Sequence, residues 1–515
     1  MGNAWAYAME GSPRMSNIVV IGAGMGGMCA AARLAKAGHT VSVYEASGHV
    51  GGKCRTEWIG KYAFDTGPSL LTLPAVYKDF FLKTGKSIEE VLTLESVNPS
   101  FDYRFADGSA VEFTNLSRYD TLEAIEKSFG TQAKDDWRSI MRRAEKMWDV
   151  SREPFIESEL ASPIGLLKRA SLLKDLFTIA PWKSLRTLVR EYTSDYRLQY
   201  IIDRYATYSG SDPRKAPAVL SSIAYVEEAF GAWHIQGGIG HLATAVHARA
   251  VECGVVFHLN SPIAQIRHSA KKVDGVVLES GEFIPADSVV ANADASQVYT
   301  TLITEELPIL RKARRALAQS EPSLAGFSLL LGLRSSPTEV RLRHHTVLFA
   351  ENYDDEFDSI FSKKKPVEAP TIYTCNPNDP TMVRADGNES WSVLVNAPPH
   401  STDGTGWNWN DESFAREYAN HIISLIESRG IAVRDRLEVL EIRTPADLQA
   451  QVRAPGGSIY GTSSNGARSA FLRARNRSPL NGLYCVGGSA HPGGGLPLVA
   501  ISAEIVANAI GRRQI

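Results

Sequence analysis

The residues best suited to do chemistry near the N-terminus are three glycines and one acid. Gly22, Gly24 and Gly27 stand between an apolar strand-like run and an alanine-rich helical pattern. In that order they permit a tight turn, a close approach of the backbone to a diphosphate, and close packing of the helix on the strand. Glu45 ends the next apolar run, where a carboxylate can accept hydrogen bonds from a ribose hydroxyl. The sequence therefore predicts a dinucleotide clamp.

Two further turns distinguish between the classes of protein that use such a clamp. A Gly-Gly-Lys turn occupies residues 51–53, and an Asp-Thr-Gly-Pro turn occupies residues 65–68. In flavoproteins of the glutathione-reductase type, the first turn brings backbone and a cation beside the diphosphate and ribose, and the second lies near the flavin ring. Each alone is typical of an ordinary turn. Their joint order after Glu45 favours FAD over a nicotinamide cofactor.

A third glycine-rich zone runs from Tyr484 to Pro497 as Tyr-Cys-Val-Gly-Gly-Ser-Ala-His-Pro-Gly-Gly-Gly-Leu-Pro. This zone resembles the C-terminal flavin signature of the phytoene desaturase family of carotenoid desaturases, within the flavin amine oxidase superfamily. Residues 233–240 and 288–295 resemble the entry and exit of that family's second nucleotide-domain segment. This sequence differs from the pattern of the superfamily in two places. Gly488 stands where many members have an acid that binds the ribityl chain, and a Ser-Gly pair is common near the position of Ser502.

The resemblance implies that FAD is the cofactor. Pro497 fixes a suitable φ at a helix start, and the free N–H groups of the next turn favour negative charge on a reduced flavin. The residues predicted to bind FAD are Gly22, Gly24, Gly26, Gly27, Glu45, Gly51, Gly52, Lys53, Gly67, Pro68, Ile263, Gly487, Gly488, Gly494, Leu496, Pro497 and Leu498.

Desaturation requires hydride removal to the flavin and proton loss from the neighbouring carbon. His491 is the candidate base, because it lies in the flavin signature and histidine titrates near neutrality. A packed, hydrogen-bonded loop histidine is the alternative. Glu227 and Glu228 are candidates for a tunnel mouth, with a solvated helix end as the alternative. The His344-His345 pair has no further ligand at a convincing spacing, so no metal is predicted.

The family's substrates are long polyenes dissolved in bilayers, so the resemblance implies contact with a membrane surface. Residues 164–190 form a candidate membrane-contact segment, with apolar residues on one helical side and several cations. An internal helix that caps the substrate domain is the alternative. The apolar residues are Leu166, Leu173, Leu176 and Phe177, and the cations are Lys168, Arg169, Lys174, Lys183, Arg186 and Arg190. Quinone or oxygen is the expected electron acceptor.

Composition limits the remaining possibilities. A net charge of −2 with 22% charged residues argues against a globally basic nucleic-acid binder. The five cysteines are widely spaced, without a CxxC pair, which indicates neither a disulfide framework nor a zinc site and favours a reducing cytoplasm. No apolar run approaches the roughly 20 residues that cross a bilayer. We therefore expect a cytoplasmic protein, peripherally associated with the cytoplasmic face of the membrane.

The pattern of elements predicts an α/β fold of two domains. One is a discontinuous Rossmann-like FAD-binding domain of the glutathione-reductase type, and the other is a mixed α+β substrate domain with a helical membrane-facing part. Residues 15–94, 231–294 and 477–515 are assigned to the first domain, and residues 95–230 and 295–476 to the second.

Four functions remain open at this point. The first is a carotenoid desaturase that introduces double bonds into a polyene by hydride transfer to the flavin. The second is a hydroxycarotenoid 3,4-desaturase or another saturase, isomerase or oxygenase of the same family. The third is a soluble flavin amine oxidase. The fourth, a flavin-binding protein without activity, would show no turnover with any polyene.

Overall fold

The structure of this 515-residue chain is a computed structural model, which describes residues 16–160, 172–339, 341–466, 469 and 473–511. The α-helices of these residues are, in chain order, α1 (Met25–Lys36), α2 (Pro74–Thr84), α3 (Arg118–Phe129), α4 (Thr131–Arg152), α5 (Leu172–Ile179), α6 (Leu185–Arg190), α7 (Tyr196–Thr207), α8 (Ser222–Phe230), α9 (Gly240–Glu252), α10 (Ala295–Thr300), α11 (Arg311–Gln319), α12 (Asp354–Phe357), α13 (Glu412–Ser428), α14 (Pro445–Val452) and α15 (Leu496–Ile510).

The strands are, in chain order, β1 (Asn17–Ile21), β2 (Thr40–Tyr44), β3 (Thr56–Ile59), β4 (Tyr62–Asp65), β5 (Leu94–Ser96), β6 (Phe101–Arg104), β7 (Ala110–Phe113), β8 (Trp233–Ile235), β9 (Val256–His258), β10 (Ile263–Ser269), β11 (Lys272–Leu278), β12 (Phe283–Pro285), β13 (Ser288–Ala291), β14 (Ala325–Leu333), β15 (His345–Leu348), β16 (Ile372–Cys375), β17 (Glu389–Ala397), β18 (Leu437–Arg443) and β19 (Leu483–Cys485).

A five-stranded parallel sheet lies at the centre of the first domain, in the order β19-β13-β1-β2-β9. Its strands come from three distant stretches of the chain, as a discontinuous nucleotide domain requires. Both faces are covered, by α1, α2, α9 and α15 on one side and by β10, β11, α10 and α11 on the other. Double coverage explains why β1 and β13 are nearly continuous apolar runs rather than alternating ones.

The second domain is organised around a seven-stranded sheet, in the order β18-β14-β17-β16-β15-β6-β7. Its pairs are antiparallel apart from β15 with β6. One face packs on α3, α4 and α6 to α8, and the other packs on α13. The helical zone and the sheet therefore share one core, although they lie far apart in sequence.

The helical stretch between residues 121 and 148 is one periodic pattern in the sequence but two helices in the structure. Gly130 separates α3 from α4 and has a φ of 94°. A side chain is strained in that backbone conformation, so glycine ends the first helix and redirects the second. Among the described helices, none is both long and apolar enough to cross a bilayer.

Candidate functional site

The glycine clamp lies where β1 ends and α1 begins. Gly22 has a φ of 90°, as the tight turn requires. A Cβ at Gly27 would lie 2.3 Å from the Gly22 carbonyl oxygen, so the helix can approach the strand this closely only with glycine there. The Asn292 side chain fills the space beside Gly24 and Gly26, where an added Cβ would meet it at 2.7 and 2.9 Å. The sequence did not single out Asn292.

The start of α1 is open to an anion. No side chain caps it and its first turn contains no acid, so its first N–H groups are available to a diphosphate. Glu45, just after β2, accepts hydrogen bonds from the Ala23 N–H at 2.7 Å and from Ser47 Oγ at 2.9 Å. The carboxylate therefore lies against the clamp, where a ribose of a bound dinucleotide is expected.

The Gly-Gly-Lys turn contacts the clamp through its backbone but not through its cation. The Gly51 N–H donates to the Ala23 carbonyl at 2.8 Å, and Gly51 and Gly24 form an isolated parallel bridge. The Lys53 ammonium instead donates to the carbonyl oxygens of Ser458 and Ile459, at 2.9 and 2.7 Å. The contact of this cation with FAD stays a prediction.

Burial lowers the pKa of Lys53 to about 8. The lysine is enclosed at the junction of the two domains, because Ser458 and Ile459 belong to the stretch that follows α14. A charge-assisted bond to two carbonyls compensates part of its desolvation. Lys53 therefore joins the cofactor domain to the substrate domain.

The second turn packs tightly against the first. A Cβ at Gly67 would lie 1.8 Å from the Lys53 carbonyl oxygen, so no larger residue fits this position. Asp65 accepts hydrogen bonds from Thr56 Oγ1 at 2.6 Å and from the Ile239 N–H at 2.9 Å. Burial raises the pKa of Asp65 to about 6. Pro68 follows this buried anchor and precedes Ser69, which faces the substrate domain.

The C-terminal signature returns to the clamp. A Cβ at Gly26 would lie 3.0 Å from the Gly487 Cα, so the two glycine turns are in direct contact. A Cβ at Gly494 would lie 2.5 Å from the Tyr460 ring, so Tyr460 packs directly on this glycine. Leu496, Pro497 and Leu498 form the first turn of α15, which has neither a side-chain cap nor an acid.

Asn476 connects several parts of this signature and was not among the predicted site residues. Its Nδ2 lies 3.2 Å from the Cys485 carbonyl oxygen, 2.8 Å from the His491 carbonyl oxygen and 3.1 Å from Ser502 Oγ. Ser502 Oγ also donates to the His491 carbonyl and accepts from the Gly487 N–H. The Ser502 hydroxyl therefore connects the glycine turn to α15 from within the helix. These bonds connect residue 476 to β19 and to α15.

His491 is a packed histidine in this structure. It is 3% exposed, and its Nε2 lies 2.9 Å from the Ser158 carbonyl oxygen. Burial lowers its pKa to about 4, and its role as the base stays a prediction. Its environment matches the alternative that the sequence left open. Ile263 is also buried, in the core that contains Tyr44, and its contact with FAD stays a prediction.

A buried cluster of aromatic and charged groups lies between the seven-stranded sheet and the helices. The Arg204 guanidinium lies 5.3, 5.0 and 5.2 Å from the ring centroids of Phe101, Tyr208 and Tyr373. It donates to the Tyr208 hydroxyl at 2.6 Å. The Arg204 side chain is 8% exposed, and the aromatic faces stabilise its charge.

Glu227 belongs to this cluster and is 5% exposed, so the alternative of a solvated helix end is wrong for it. It accepts hydrogen bonds from the hydroxyls of Tyr205 and Tyr208, at 2.6 and 3.4 Å. Burial raises its pKa to about 7, against the lowering effect of these bonds and of Arg204. Glu228 instead bonds Arg118 and accepts from the Trp137 indole at 3.2 Å. Both glutamates at the end of α8 therefore make contacts within the protein that stabilise the fold.

The raised pKa of Glu227 predicts a pH-dependent stability. The folded state binds the proton more tightly than the unfolded state, so this contribution is complete below about pH 4.5 and is lost as the pH rises through about 7. Glu227→Gln keeps an acceptor for Tyr205 and has no charge to bury. We expect the free energy of unfolding of the variant, relative to that of the wild type, to increase by about 3 kcal/mol between pH 4.5 and pH 8. Thermal unfolding across this range measures it, and parallel pH profiles would contradict it.

The sequence predicts no metal at His344 and His345 because no further ligand has a convincing spacing. The folded chain brings a third potential ligand to this pair. Cys375 is the residue directly opposite His345 across the β15–β16 pair. One potential ligand atom from each of the three residues lies within 4.8 Å of the others. The third ligand is distant in sequence and is supplied by strand pairing.

Comparison with known proteins agrees with this geometry. Residues 25–366 match the family of flavin-containing amine oxidoreductases. The chain is 30% identical over 498 residues to a 4,4′-diapolycopene oxygenase of Methylomonas sp., covering 96% of this chain and 97% of the relative. It is 28% identical over 502 residues to a 4,4′-diaponeurosporene oxygenase of Staphylococcus aureus, covering 97% and 98%. A solved putrescine oxidase superposes with a TM-score of 0.64 at 15% identity, covering 96% of this chain and 98% of that one.

The fold and the clamp together define a flavin-dependent oxidoreductase of two domains. The chain belongs to the family of flavin-containing amine oxidoreductases, and its relatives include enzymes named for the oxygenation of carotenoids. The predicted cofactor, FAD, is confirmed. The residues present fit it, because the glycine turns leave no room for side chains and the starts of α1 and α15 are uncapped.

Proposed function

We propose that this enzyme oxidises the end of a long, carotenoid-like polyene with FAD. The observation that carries the proposal is similarity over nearly the whole chain to two relatives named as carotenoid oxygenases. Full-length similarity includes the substrate domain, where specificity resides, and not only the cofactor domain. The Tyr484 to Pro497 signature, which resembles that of carotenoid desaturases, supports the same substrate class.

Bound FAD supplies a hydride acceptor, and the chain supplies orientation and charge. The uncapped start of α15 favours negative charge near the flavin after reduction. Hydride removal from a terminal carbon leaves a positive charge that the polyene delocalises, and addition of water with loss of a proton would give the terminal alcohol. A second hydride removal from the same carbon, with loss of the hydroxyl proton, would give the aldehyde.

Desaturation of a polyene is the second candidate function. It rests on the resemblance of the three glycine-rich zones to the phytoene desaturase family, and it uses the same hydride transfer. A hydroxycarotenoid 3,4-desaturase or a saturase or isomerase differs only in the product. Likeness to putrescine oxidase at 15% identity concerns the fold alone and does not favour an amine substrate.

Expression in hosts that accumulate a single polyene distinguishes these functions. One host supplies phytoene, a second supplies 4,4′-diaponeurosporene and a third supplies 4,4′-diapolycopene. We expect a product with a terminal aldehyde or alcohol from one of the latter two, detected by chromatography and mass spectrometry. A product with added double bonds and no oxygen would favour desaturation. Unchanged pigment in every host, beside FAD-loaded protein, would refute both.

A polyene substrate requires access to a bilayer, and we propose that the segment 164–190 supplies it from the cytoplasmic face. Residues 161–171 lie outside the described residues, so Leu166, Lys168 and Arg169 remain predictions. Beyond them, Phe177 and Trp182 are 70% and 60% exposed, with ring centroids 5.7 Å apart. Arg186 does not belong to this surface, because it is buried and paired with Asp203 at 2.8 Å. Quinone or oxygen is the proposed electron acceptor.

Replacing Phe177 and Trp182 with serine is expected to lower binding to anionic vesicles at least tenfold. The two rings are large apolar surfaces in a cationic segment, and inserting them in the interface is worth several times the ~1.4 kcal/mol of a tenfold change. Co-sedimentation with phosphatidylglycerol vesicles measures the effect. Leu82→Ser, at a residue 66% exposed on α2, is the matched control and should bind as the wild type does. Equal binding by all three proteins would contradict the proposal.

A further inference from the structure

Two imidazoles and a thiol converge where β15 and β16 pair in the seven-stranded sheet. His345 and Cys375 are 0% and 1% exposed and lie opposite each other across the pair. The His344 ring lies 4.4 Å from the His345 ring, centroid to centroid. One ligand atom from each residue can be chosen so that all three lie within 4.8 Å of one another.

The hydrogen bonding leaves ligand atoms of this cluster without partners. The Nε2 atoms of His344 and His345 are buried, and neither has a hydrogen-bond partner. Nδ1 of His345 lies 2.8 Å from the Tyr373 hydroxyl, which lies 2.8 Å from Ser69 Oγ. When Nδ1–H donates to the phenol oxygen, Nε2 carries the lone pair. Histidines that bind metals have this arrangement, with the outer nitrogen donating to an oxygen.

The unpaired Nε2 atoms of His344 and His345 favour the binding of a ligand. Leaving a buried imidazole nitrogen unpaired costs about 1–3 kcal/mol, and a ligand would remove this cost.

We propose that His344, His345 and Cys375 form a binding site for a divalent transition-metal ion, with Zn²⁺ as the fitting probe. Two imidazole nitrogens and one thiolate are ligands that Zn²⁺ prefers, and a fourth position stays open for water or a substrate oxygen. A tetrahedral ion holds such atoms about 3.5 Å apart, so they must approach by about 1 Å. The Cys375 proton leaves on binding.

Two sets of contacts define the surroundings of the candidate metal site. Tyr373 and Ser69 connect His345 to the turn at residues 65–68, which the sequence predicts to lie near the flavin ring. On the other side, the His234 ring lies 4.9 Å from His344 and its Nε2 lies 2.9 Å from Asp379. The ion would thus lie at the interface of the two domains. Its binding does not depend on the identity of the polyene.

The test uses the full-length, FAD-loaded protein without a histidine tag. After treatment with a chelator, the protein is dialysed against Zn²⁺ and its metal content is measured. We expect one Zn²⁺ per chain, with X-ray absorption showing one sulfur at about 2.3 Å and nitrogen neighbours at about 2.0–2.1 Å. Cys375→Ser should bind Zn²⁺ at least 100-fold more weakly, and Cys253→Ser, at a partly buried cysteine after α9, should bind it as the wild type does.

Flavin content reports whether each variant folds. If Cys375→Ser loses its flavin, His344→Asn replaces it, because His344 is the partly exposed member of the cluster. That variant should also lose the ion while it retains FAD. No stoichiometric Zn²⁺ in the wild type, a spectrum without sulfur, or unchanged binding by a folded variant would each overturn the proposal.

Discussion

Replacing Gly27 with alanine is expected to leave the purified protein nearly free of FAD. The new Cβ would lie 2.3 Å from the Gly22 carbonyl oxygen, which belongs to the backbone of the clamp and cannot rotate away. Either α1 moves off β1 or the turn at Gly22 opens, and both displace the N–H groups that face the diphosphate. Overpacking of this kind costs about 1–3 kcal/mol, so we expect FAD affinity to fall about 100-fold.

The matched control is Gly48→Ala, on the stretch that follows β2. There the nearest atom to an added Cβ is the end of the Asn260 side chain, at 3.3 Å, and the backbone does not have a positive φ. That side chain is exposed and can shift, so Gly48→Ala should retain its flavin. Flavin absorbance per protein and titration of the stripped protein with FAD measure both variants. Full flavin content in Gly27→Ala would show that the clamp is not the FAD site.

Replacing Asn476 with alanine is expected to have the second large effect. The Asn476 amide bonds the carbonyls of Cys485 and His491 and the hydroxyl of Ser502, all in the buried signature. Removing it leaves buried acceptors with fewer donors, at about 1–3 kcal/mol for each unsatisfied group. We expect FAD affinity to fall at least tenfold and the unfolding temperature to decrease.

Asn410→Ala provides the comparison, because Asn410 is exposed and lies in the substrate domain. It should leave both flavin affinity and the unfolding temperature at wild-type values. Ser502→Ala should give an intermediate loss, since it removes one donor to His491 and the acceptor of the Gly487 N–H. An Asn476→Ala protein that binds FAD as tightly as the wild type would contradict the role assigned to this amide.

The parts of the site that could be predicted from the sequence are those set by local backbone geometry. The positions of Gly22, Gly27 and Gly51 depend on turns a few residues long, and only glycine satisfies them. Such turns keep their spacing whatever the rest of the chain does. The same holds for the apolar runs, since doubly covered parallel strands are recognisable by composition alone.

The parts that could not be predicted depend on pairing between distant segments. Cys375 joins His345 only because β15 and β16 are adjacent, and Asn476 meets His491 only after the chain returns to the sheet. The burial of charged side chains depends on distant segments in the same way. Arg186 and Glu227 read as surface charges in helical patterns, but the partners that bury them, Asp203 and Tyr205, come from α7.

Transfer of hydride from a polyene to the bound flavin requires that the polyene alone reduces the FAD-loaded enzyme when oxygen is absent. The enzyme is mixed without oxygen with vesicles that contain 4,4′-diaponeurosporene or 4,4′-diapolycopene, and separately with putrescine. Bleaching of the oxidised flavin absorbance is followed in time. We expect bleaching with a polyene and none with the amine. Bleaching with putrescine and none with any polyene would contradict it.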